Sequence, residues 1–365
     1  MDFGICVQSH INDIDYVVTA EELGFTHAWM ADSQMLWSDC YACLALAAER
    51  TSRINIGTGV AIAGTRPAPV NAAGIATINA LAPGRTFFGV GAGNTAMRVM
   101  GLPPVNIKTF DRYLSEVVPL IRGEEALLHH DEASIPIRHI MPDKGFVNFD
   151  SPVPVHVSGF GPKSLHLAGK YGDGAVLGLP SDPGALQVVW QWLEAGAAAA
   201  GKRIDRDTFY TTMLTTIVVL EEGEPVTSTR VKEQCGAMAM ATIHFAYDQW
   251  RNFGHQPPAH MEAVWADYCA LLDTFPEERR HQRIHAGHNC WVIPEEEQFL
   301  TEEVIRNTCM VGTQAQLQQQ IAAYEAEGLN QIMLLPNFDT KGDVLAEVAE
   351  QLFVTQHPGP TFPIG

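Results

Sequence analysis

Residues 153–177 read VPVHVSGFGPKSLHLAGKYGDGAVL. The apolar run at 153–157 predicts a buried strand, and residues 162–171 predict a helix with Pro162 at its first position. A second strand is predicted at 174–177. A strand, a helix and another strand in succession form a unit whose two strands run parallel. This stretch therefore predicts an α/β protein built on a parallel sheet.

The same alternation of strands and helices extends in both directions along the chain. About eight repeated units favour a closed (β/α)8 TIM barrel over an open, doubly wound sheet. We expect one domain over residues 1–365, with a mostly helical insertion at 224–310 before the last unit, and a loop excursion at 123–150. The strands are predicted at residues 3–7, 25–30, 54–62, 86–90, 153–157, 174–177, 210–220 and 331–335.

Composition limits the classes of function. The chain has 365 residues, 46% of them hydrophobic, and a net charge of -19. Such a chain is too apolar to be disordered and too acidic to favour nucleic acid or anionic membrane surfaces. We find no apolar run of membrane-spanning length, and the opening MDFGIC lacks the basic and apolar segments of a secretory signal. Seven scattered cysteines fit reduced thiols, so we expect a cytoplasmic protein.

The strand ends are where a barrel places its chemistry. After the fifth predicted strand, two glycines and the start of a helix are typical of a loop that binds phosphate through backbone N–H groups. A plain strand-to-helix turn is the alternative for this segment alone. The candidate binding residues of this loop are Ser158, Gly159, Phe160, Gly161, Pro162 and Lys163.

Other strand ends carry single polar or aromatic candidates. Asp32 and Trp37 follow the second strand, where Asp32 is able to accept a hydrogen bond and Trp37 to stack on a ring. Arg66 follows the third strand and is a cation that would suit an anion. The glycines of residues 89–93 let the backbone pass close to a flat ligand. For each of the three side chains, ordinary core or surface packing is the alternative.

No metal site or nucleophile motif stands out. His281, His285 and His288 have helical ligand spacing, but Gly287 interrupts that helix and no carboxylate partner is fixed, so we predict no metal. The CxxC at residues 40–43 lies in an apolar helical stretch and is interpreted as core packing. A Gly-x-Ser-x-Gly elbow is absent, which argues against a serine hydrolase.

Four segments together resemble the bacterial luciferase-like monooxygenase superfamily. They are residues 20–32 (AEELGFTHAWMAD), 46–60 (LAAERTSRINIGTGV), 81–93 (LAPGRTFFGVGAG) and 154–174. Within it, the Gly-Pro-Lys of the fifth-strand loop is most similar to the branch that uses the deazaflavin coenzyme F420. That branch includes methylenetetrahydromethanopterin reductase and sugar-phosphate dehydrogenases, whereas other branches use FMN.

The resemblance implies a hydride-transferring oxidoreductase with its ring system in the barrel mouth. It implies a phosphate arm over residues 158–161 and a non-proline cis peptide at Gly59-Val60. It also places Asp32 beside the ring and Trp37 in the active site. A small-molecule substrate and a homodimer are expected. The alternatives are an FMN-dependent monooxygenase and, outside enzymes, a non-catalytic flavin-binding barrel.

The sequence departs from the relatives at the positions that carry proton transfer. Ser33 and Asn94 replace a His and a Glu of the sugar-phosphate branch, and Cys6 replaces a first-strand Glu of the reductase. Ser33 and Asn94 are able to hydrogen-bond a substrate, but neither is an acid at neutral pH. The chain's own candidates are therefore His10, His288 and Cys6.

The insertion and the rim supply the rest of the expected substrate pocket. Between residues 244 and 291 aromatic and histidine residues are dense, so we expect Trp250, His288 and Trp291 to roof the site. Cys6, Trp37 and Arg66 are predicted to line the pocket beneath Trp291. The cations expected to meet an acidic cofactor tail are Arg66, Arg98 and Lys163.

Overall fold

Eight parallel strands close into a barrel in the computed structural model, which describes residues 1–178 and 182–353. The barrel strands are β1 (Asp2–Val7), β2 (His27–Met30), β3 (Asn55–Ile62), β4 (Thr86–Gly91), β7 (Val155–Gly159), β8 (Gly174–Leu177), β9 (Tyr210–Thr215) and β12 (Gln331–Leu334). The remaining strands are β5 (Ala126–His130), β6 (Ala133–Ile137), β10 (Ile217–Val219) and β11 (Met310–Gly312). The predicted (β/α)8 barrel is confirmed.

The α-helices follow the strands and cover the outside of the barrel or form the insertion. They are α1 (Asp15–Leu23), α2 (Cys40–Arg50), α3 (Ala68–Leu81), α4 (Asn94–Arg98), α5 (Ile107–Ile121), α6 (Pro162–Tyr171), α7 (Ala185–Ala199), α8 (Thr229–Phe253), α9 (Glu262–Asp273), α10 (Arg280–Ile284), α11 (Glu302–Thr308), α12 (Gln314–Ala326) and α13 (Lys341–Leu352). Among the described residues, none of these helices combines the length and apolarity needed to cross a membrane.

Closure of the barrel depends on β1, which pairs with strands from both ends of the chain. Ile5 lies opposite Ala28 of β2 on one side and Leu334 of β12 on the other. A register shift between Thr58 and Ala61 interrupts the pairing of β3 with β4. Such irregularities bend a strand locally, and this one lies at Gly59-Val60, near the carboxyl end of β3.

The prediction of one continuous strand at residues 210–220 is wrong about its continuity. It divides into β9, which belongs to the barrel, and β10, which pairs in parallel with β11 as a separate two-stranded sheet. Thr216 lies at the break, and its hydroxyl donates to the carbonyl of Leu335. The pairing of Ile217 with Met310 places the two ends of the insertion side by side.

The expected loop excursion at 123–150 is also corrected in part. Strands β5 and β6 pair in antiparallel register as a hairpin, with Asp131 at positive φ in its turn. Five apolar side chains of this segment are exposed, and these are Leu127, Ile135, Ile140, Met141 and Phe146. The segment is therefore ordered structure with an apolar outer surface.

The insertion is mostly helical, as predicted, and shares a core with the barrel. Its longest helix, α8, begins at Ser228, whose side chain accepts a hydrogen bond from the amide of Val231 at 3.2 Å. Buried insertion residues such as Met240 and Phe299 belong to the same cluster as Trp29 of the barrel. This continuity supports the single-domain organisation, which stays a prediction.

The barrel interior near the amino ends of the strands holds an aromatic and histidine layer. The rings of His27 and His156 each lie within 5.7 Å of the Tyr210 ring, centroid to centroid. Gln331 accepts a hydrogen bond from Trp29 Nε1 at 2.9 Å and donates to the Tyr210 hydroxyl at 3.2 Å. Burial lowers the pKa of His27 to about 3, and burial together with the neighbouring His27 does the same for His156. Both imidazoles are therefore neutral near pH 7.

Candidate active site

The carboxyl ends of β3, β4 and β7 meet around Gly91. A Cβ placed on Gly91 would lie 2.9 Å from Val60 Cγ2 and 3.4 Å from Ser158 Cβ. The peptide bond between Gly59 and Val60 is cis, at the position that the resemblance implies. Because Gly91 lacks a side chain, Val60 and Ser158 approach each other across it, so the structure brings together candidates from two different strands.

The loop after β7 leaves open space where helix α6 begins. A Cβ on Gly161 would have no neighbouring atom within 4 Å, although its backbone is in the ordinary extended region. Ser164 Oγ donates to the Gly161 carbonyl at 3.0 Å and fixes this turn. The first N–H groups of a helix have no partner within the helix, and they attract anions. This corner therefore suits a phosphate group.

The neighbouring candidates of this loop point in different directions. Phe160 is 47% exposed, covers Gly178 and meets the Phe245 ring of α8 edge-on at 6.1 Å. Pro162 and Lys163 instead line an apolar groove of about 370 Å³ on the outer surface between α5, α6 and α7. Residues 179–181, which follow the predicted strand 174–177, lie outside the described residues.

Arg66 is held by two carboxylates at the rim. Its Nε and Nη2 each lie 3.3 Å from an oxygen of the buried Asp32, and Nη2 lies 2.6 Å from Asp39 Oδ2. Asp39 also caps α2 by accepting from the amides of Tyr41 and Ala42. Burial alone would raise the pKa of Asp39, but the Arg66 and amide hydrogen bonds hold it below its usual value. Arg66 is thus committed within the protein, which corrects the expectation of a cation free to meet a cofactor tail.

Cys6 lies inside the barrel beneath the mouth. Its Sγ is 3.8 Å from the carbonyl oxygen of Gly59, and the residue is buried. Burial raises the pKa of the Cys6 thiol to about 12. The thiol therefore stays protonated near pH 7, and it is unsuited to proton transfer there.

The segment 285–291 of the insertion lies directly on the barrel mouth. Gln8 Nε2, after β1, donates to the carbonyls of Asn289 and Pro336, both at 2.8 Å. Trp37 Nε1 donates to Cys290 Sγ at 3.3 Å. Asn289 adopts a left-handed backbone with φ of 52°, which is uncommon for a residue other than glycine. These contacts fix the roof to the strand ends.

His288 is the roof residue that reaches the barrel. Its Nε2 lies 3.2 Å from Thr95 Oγ1 and 3.0 Å from Asn289 Nδ2, and its ring centroid is 6.1 Å from that of Trp37. Because an amide nitrogen only donates, Nε2 is the acceptor and Nδ1 carries the proton in a neutral ring. Nδ1 is buried and has no partner among the described residues. Burial and the nearby His285 lower the pKa of His288 well below its usual value.

A match to a family model places this architecture among known proteins. The model for luciferase-like monooxygenases matches residues 1–331. The chain belongs to the luciferase-like monooxygenase family. The resemblance predicted from four sequence segments is therefore confirmed.

Two relatives and one solved structure refine the position within the luciferase-like family. A 5,10-methylenetetrahydromethanopterin reductase of Methanolobus tindarius is 30% identical over 189 residues, which cover 51% of this chain and 56% of the relative. An F420-dependent glucose-6-phosphate dehydrogenase of Beutenbergia cavernae is 27% identical over 293 residues, covering 77% and 79%. The chain thus matches little more than half the length of the first relative.

The solved structure supports the fold. The coenzyme F420 dependent tetrahydromethanopterin reductase from Methanopyrus kandleri superimposes with a TM-score of 0.67 at 18% identity, over 96% of this chain and 97% of that one. At this level of identity the similarity concerns the architecture, which agrees with the closed barrel described above.

The remaining candidate residues of the luciferase-like site differ in exposure and in the elements on which they lie. His10 is exposed, and its Nδ1 accepts from the Asn12 amide while its ring lies 5.9 Å from Phe338. Ser33 is buried after β2, and Asn94 begins α4. Trp291 is 58% exposed and packs against Gly287 on the roof surface. Their catalytic and binding roles stay predictions.

Trp250 and Arg98 differ in their surroundings from what the sequence predicts. Trp250 packs on Tyr247 and Trp265 within the insertion, with ring centroids 5.6 and 6.1 Å away. Arg98, expected at the rim, is buried against Asp248 of α8. Across residues 1–178 and 182–353, we find no cluster of three or more histidine, cysteine or acidic side chains arranged to hold a metal ion.

Proposed function

We propose that the protein is an F420-dependent oxidoreductase that transfers a hydride between the deazaflavin and a small organic substrate in the barrel mouth. The observation that carries the proposal is the open corner at Gly161, where the start of α6 lies beside Ser158 and Val60 on one rim. The F420-dependent dehydrogenase of Beutenbergia cavernae, which matches 77% of this chain, supports the same cofactor.

The residues present fit such a cofactor. A phosphate-bearing arm needs unpaired backbone N–H groups and space in front of them. The Gly161 N–H donates to Ser164 Oγ and Pro162 has none, so the N–H groups of Lys163 and Ser164 would serve, beside the open space at Gly161. A planar ring needs a closely packed wall behind it, and Gly59 against Trp29 with Gly91 between Val60 and Ser158 supplies one. Residues 158–161 would hold the arm, with Val60 behind the ring.

The protein's own contribution is positioning, exclusion of water and hydrogen bonding. A bound deazaflavin supplies two-electron hydride chemistry at its central ring. Trp37 and the roof segment 285–291 close the mouth on the side of Gln8 and shield it from solvent. The His288 Nδ1–H, which has no protein acceptor among the described residues, is available to donate to a substrate oxygen.

Titration with purified cofactors tests the proposal. We expect F420 to quench the protein's tryptophan fluorescence saturably and FMN to bind more weakly. A panel of alcohols, aldehydes and sugar phosphates is then screened for change in the F420 absorbance. Preferential binding of FMN with oxygen consumption would favour the monooxygenase alternative. Tight F420 binding with no turnover of any substrate would favour the non-catalytic flavin-binding barrel.

We propose a homodimer as the working assembly. Five exposed apolar side chains of the 123–150 excursion support a buried interface, because a monomer rarely exposes such a cluster. Sedimentation of wild type and of an Ile140→Glu variant measures the mass. A monomeric wild type would contradict the dimer.

We also propose a cytoplasmic location. All seven cysteines are free thiols, and six of them are buried. Free buried thiols are typical of proteins in a reducing compartment. Fractionation of cells that express the tagged protein tests the location, and recovery from a secreted or membrane fraction would contradict it.

A further inference from the structure

Arg98 is a buried charge just beyond the carboxyl end of β4. It ends the short helix α4, which follows directly from β4, and its side chain is only 7% exposed. Its Nε lies 3.2 Å from Asp248 Oδ2 of α8, an acid whose side chain is also largely buried. Burial lowers the pKa of the guanidinium, against the opposing effect of Asp248. The pair joins the barrel to helix α8 of the insertion.

Two of the three guanidinium nitrogens of Arg98 have no hydrogen-bond partner among the described residues. Its Nε and Nη2 are buried without a hydrogen-bond partner in the described part of the chain, and the Asp248 contact is an ion pair without hydrogen-bond geometry. Buried polar groups in proteins nearly always have partners, and each exception needs an explanation. A ligand oxygen beside Nη2 would supply the missing acceptor.

The surroundings of Arg98 are continuous with the candidate active site. Thr95 lies one helical turn earlier on α4 and contacts His288. The His288 ring meets that of His285 at 5.3 Å, and the charge of Arg98 acts on His285. The Nδ1 atoms of both histidines are buried without partners, as are Gln8 Oε1 and Asn289 Oδ1. Unpaired hydrogen-bond donors and acceptors of the barrel and of the roof segment 285–291 therefore lie together at the boundary between the two, which we call the seam.

Charge decides what kind of ligand fits this seam. Arg98 and Asp248 compensate each other, and burial with neighbouring charges lowers the pKa of His285 to about 3, so its ring is neutral near pH 7. Elsewhere in the insertion, the carboxylate oxygens of Glu296 lie 3.2 Å from Arg283 Nη1 and 3.2 Å from His244 Nε2. A carboxylate or phosphate would add a buried charge with no counter-charge, which is costly. An uncharged oxygen would accept hydrogen bonds without that cost.

We propose that Arg98 is a specificity-determining residue that donates hydrogen bonds to an uncharged carbonyl or hydroxyl oxygen of the substrate, with Asp248 excluding anionic substrates. The substrate class is thus a neutral alcohol, aldehyde, ketone or amide. This inference rests on the proposed function for the identity of the pocket, but it concerns this chain's own residues and is testable without any cofactor.

The experiment compares two ring compounds that differ in charge. Cyclohexanecarboxamide and cyclohexanecarboxylate are titrated into cofactor-free protein at constant ionic strength, and binding is followed by saturation-transfer NMR. We expect wild type to bind the amide roughly tenfold more tightly. In Asp248→Asn the charge on Arg98 is uncompensated, so the preference should reverse toward the carboxylate.

A second variant removes both Arg98 and Asp248, so that neither charge is left buried without its partner. Arg98→Met with Asp248→Leu replaces a buried ion pair by apolar side chains, which proteins often tolerate. We expect its affinity for the amide to fall roughly ten- to a hundredfold. Arg50→Met with Asp15→Leu removes an exposed pair of the same residue types and should leave binding unchanged.

Four results would overturn the inference. These are a wild type that binds neither compound, a wild type that prefers the carboxylate, an Asp248→Asn variant that keeps the amide preference, and a folded double variant that binds the amide as wild type does. If the double variant does not fold, Asp248→Asn decides alone. Because F420 takes no part, a failed cofactor titration and a failed amide preference are separate results.

Discussion

The barrel holds buried histidines at both ends, and the two pairs differ in what surrounds them. His27 and His156 lie among aromatic rings and the Gln331 network near the amino ends of the strands. His285 and His288 lie over the mouth, beside unpaired atoms of the barrel and the roof. Burial lowers the pKa of all four. Depressed pKa values therefore do not separate the two pairs. Among the described residues the amino-end layer has one unpaired atom, His156 Nδ1, whereas several from the barrel and the roof gather over the mouth.

Acid should destabilise the fold in part through the amino-end pair. Both rings must gain protons on unfolding below pH 6.5 and resist them in the fold down to about pH 3. The stability they contribute is complete above pH 6.5 and is lost as the pH falls. Below pH 6.5 each of the two histidines lowers the free energy of unfolding by about 1.4 kcal/mol per pH unit. The pair therefore lowers it by roughly 5 kcal/mol at pH 4.5. Urea unfolding between pH 7 and 4.5 measures this, and His156→Gln should remove about half of the pair's contribution to the slope. An unchanged slope would contradict it.

The Gln331 network should matter for stability alone. Gln331→Leu leaves Trp29 Nε1 and the Tyr210 hydroxyl without this buried partner. We expect a loss of about 3 kcal/mol in the free energy of unfolding, measured by urea titration. The affinity for F420 should not change. A fall in affinity with little loss of stability would reverse the contrast between the two ends.

His288 should show the opposite pattern. His288→Ala removes the unpaired Nδ1–H donor together with the Nε2 acceptor of Asn289 and Thr95, so the free energy of unfolding should fall by about 1–2 kcal/mol, less than for Gln331→Leu. We expect kcat with F420 and the best substrate to fall roughly a hundredfold. His130→Ala, at an exposed histidine, is the control. Turnover equal to wild type would remove His288 from the reaction.

Gly161 offers a test of the open corner. Gly161→Leu adds a side chain where nothing lies within 4 Å and the backbone accepts any residue. We expect the melting temperature to stay the same and F420 to bind about tenfold more weakly, as judged by fluorescence titration. Ala199→Leu adds the same side chain at the far end of α7 as a control. Unchanged F420 binding in Gly161→Leu would place the cofactor elsewhere.

Cys6 should show the smallest effect. Burial raises the pKa of its thiol to about 12, so the group neither gains nor loses a proton near pH 7. Cys6→Ala should keep kcat within about twofold of wild type, and its pH profile should be unchanged. A profile that loses one titration would restore Cys6 as a proton carrier.

Much of the barrel could be predicted because its signal is local. Strand and helix periods repeat along the chain, and the predicted helix 162–171 and strand 174–177 agree with α6 and β8. The break at Thr216 was missed because β-branched residues continue through it and only pairing with β11 reveals it. The hairpin of β5 and β6 was missed because its His and Pro residues are typical of loops.

The candidate site was predictable in location but not in its pairings. Because parallel strands end on one face, the rim residues Val60 and Ser158 could be placed together from sequence. The commitment of Arg66 to Asp32, and of Arg98 to Asp248, depends on contacts between distant segments. Arg98 and Asp248 are 150 positions apart, and composition carries no record of such a contact.

The pairing of β10 with β11 has a consequence for how this protein could diversify. The two strands hold the first and last residues of the insertion next to each other. The chain between them, which includes the roof segment, therefore forms a loop with fixed ends. Changing the length of a closed loop costs little, about 0.6 kcal/mol for each doubling. Descendants could therefore acquire new roofs, and with them new substrates, while the barrel and its cofactor corner stay as they are.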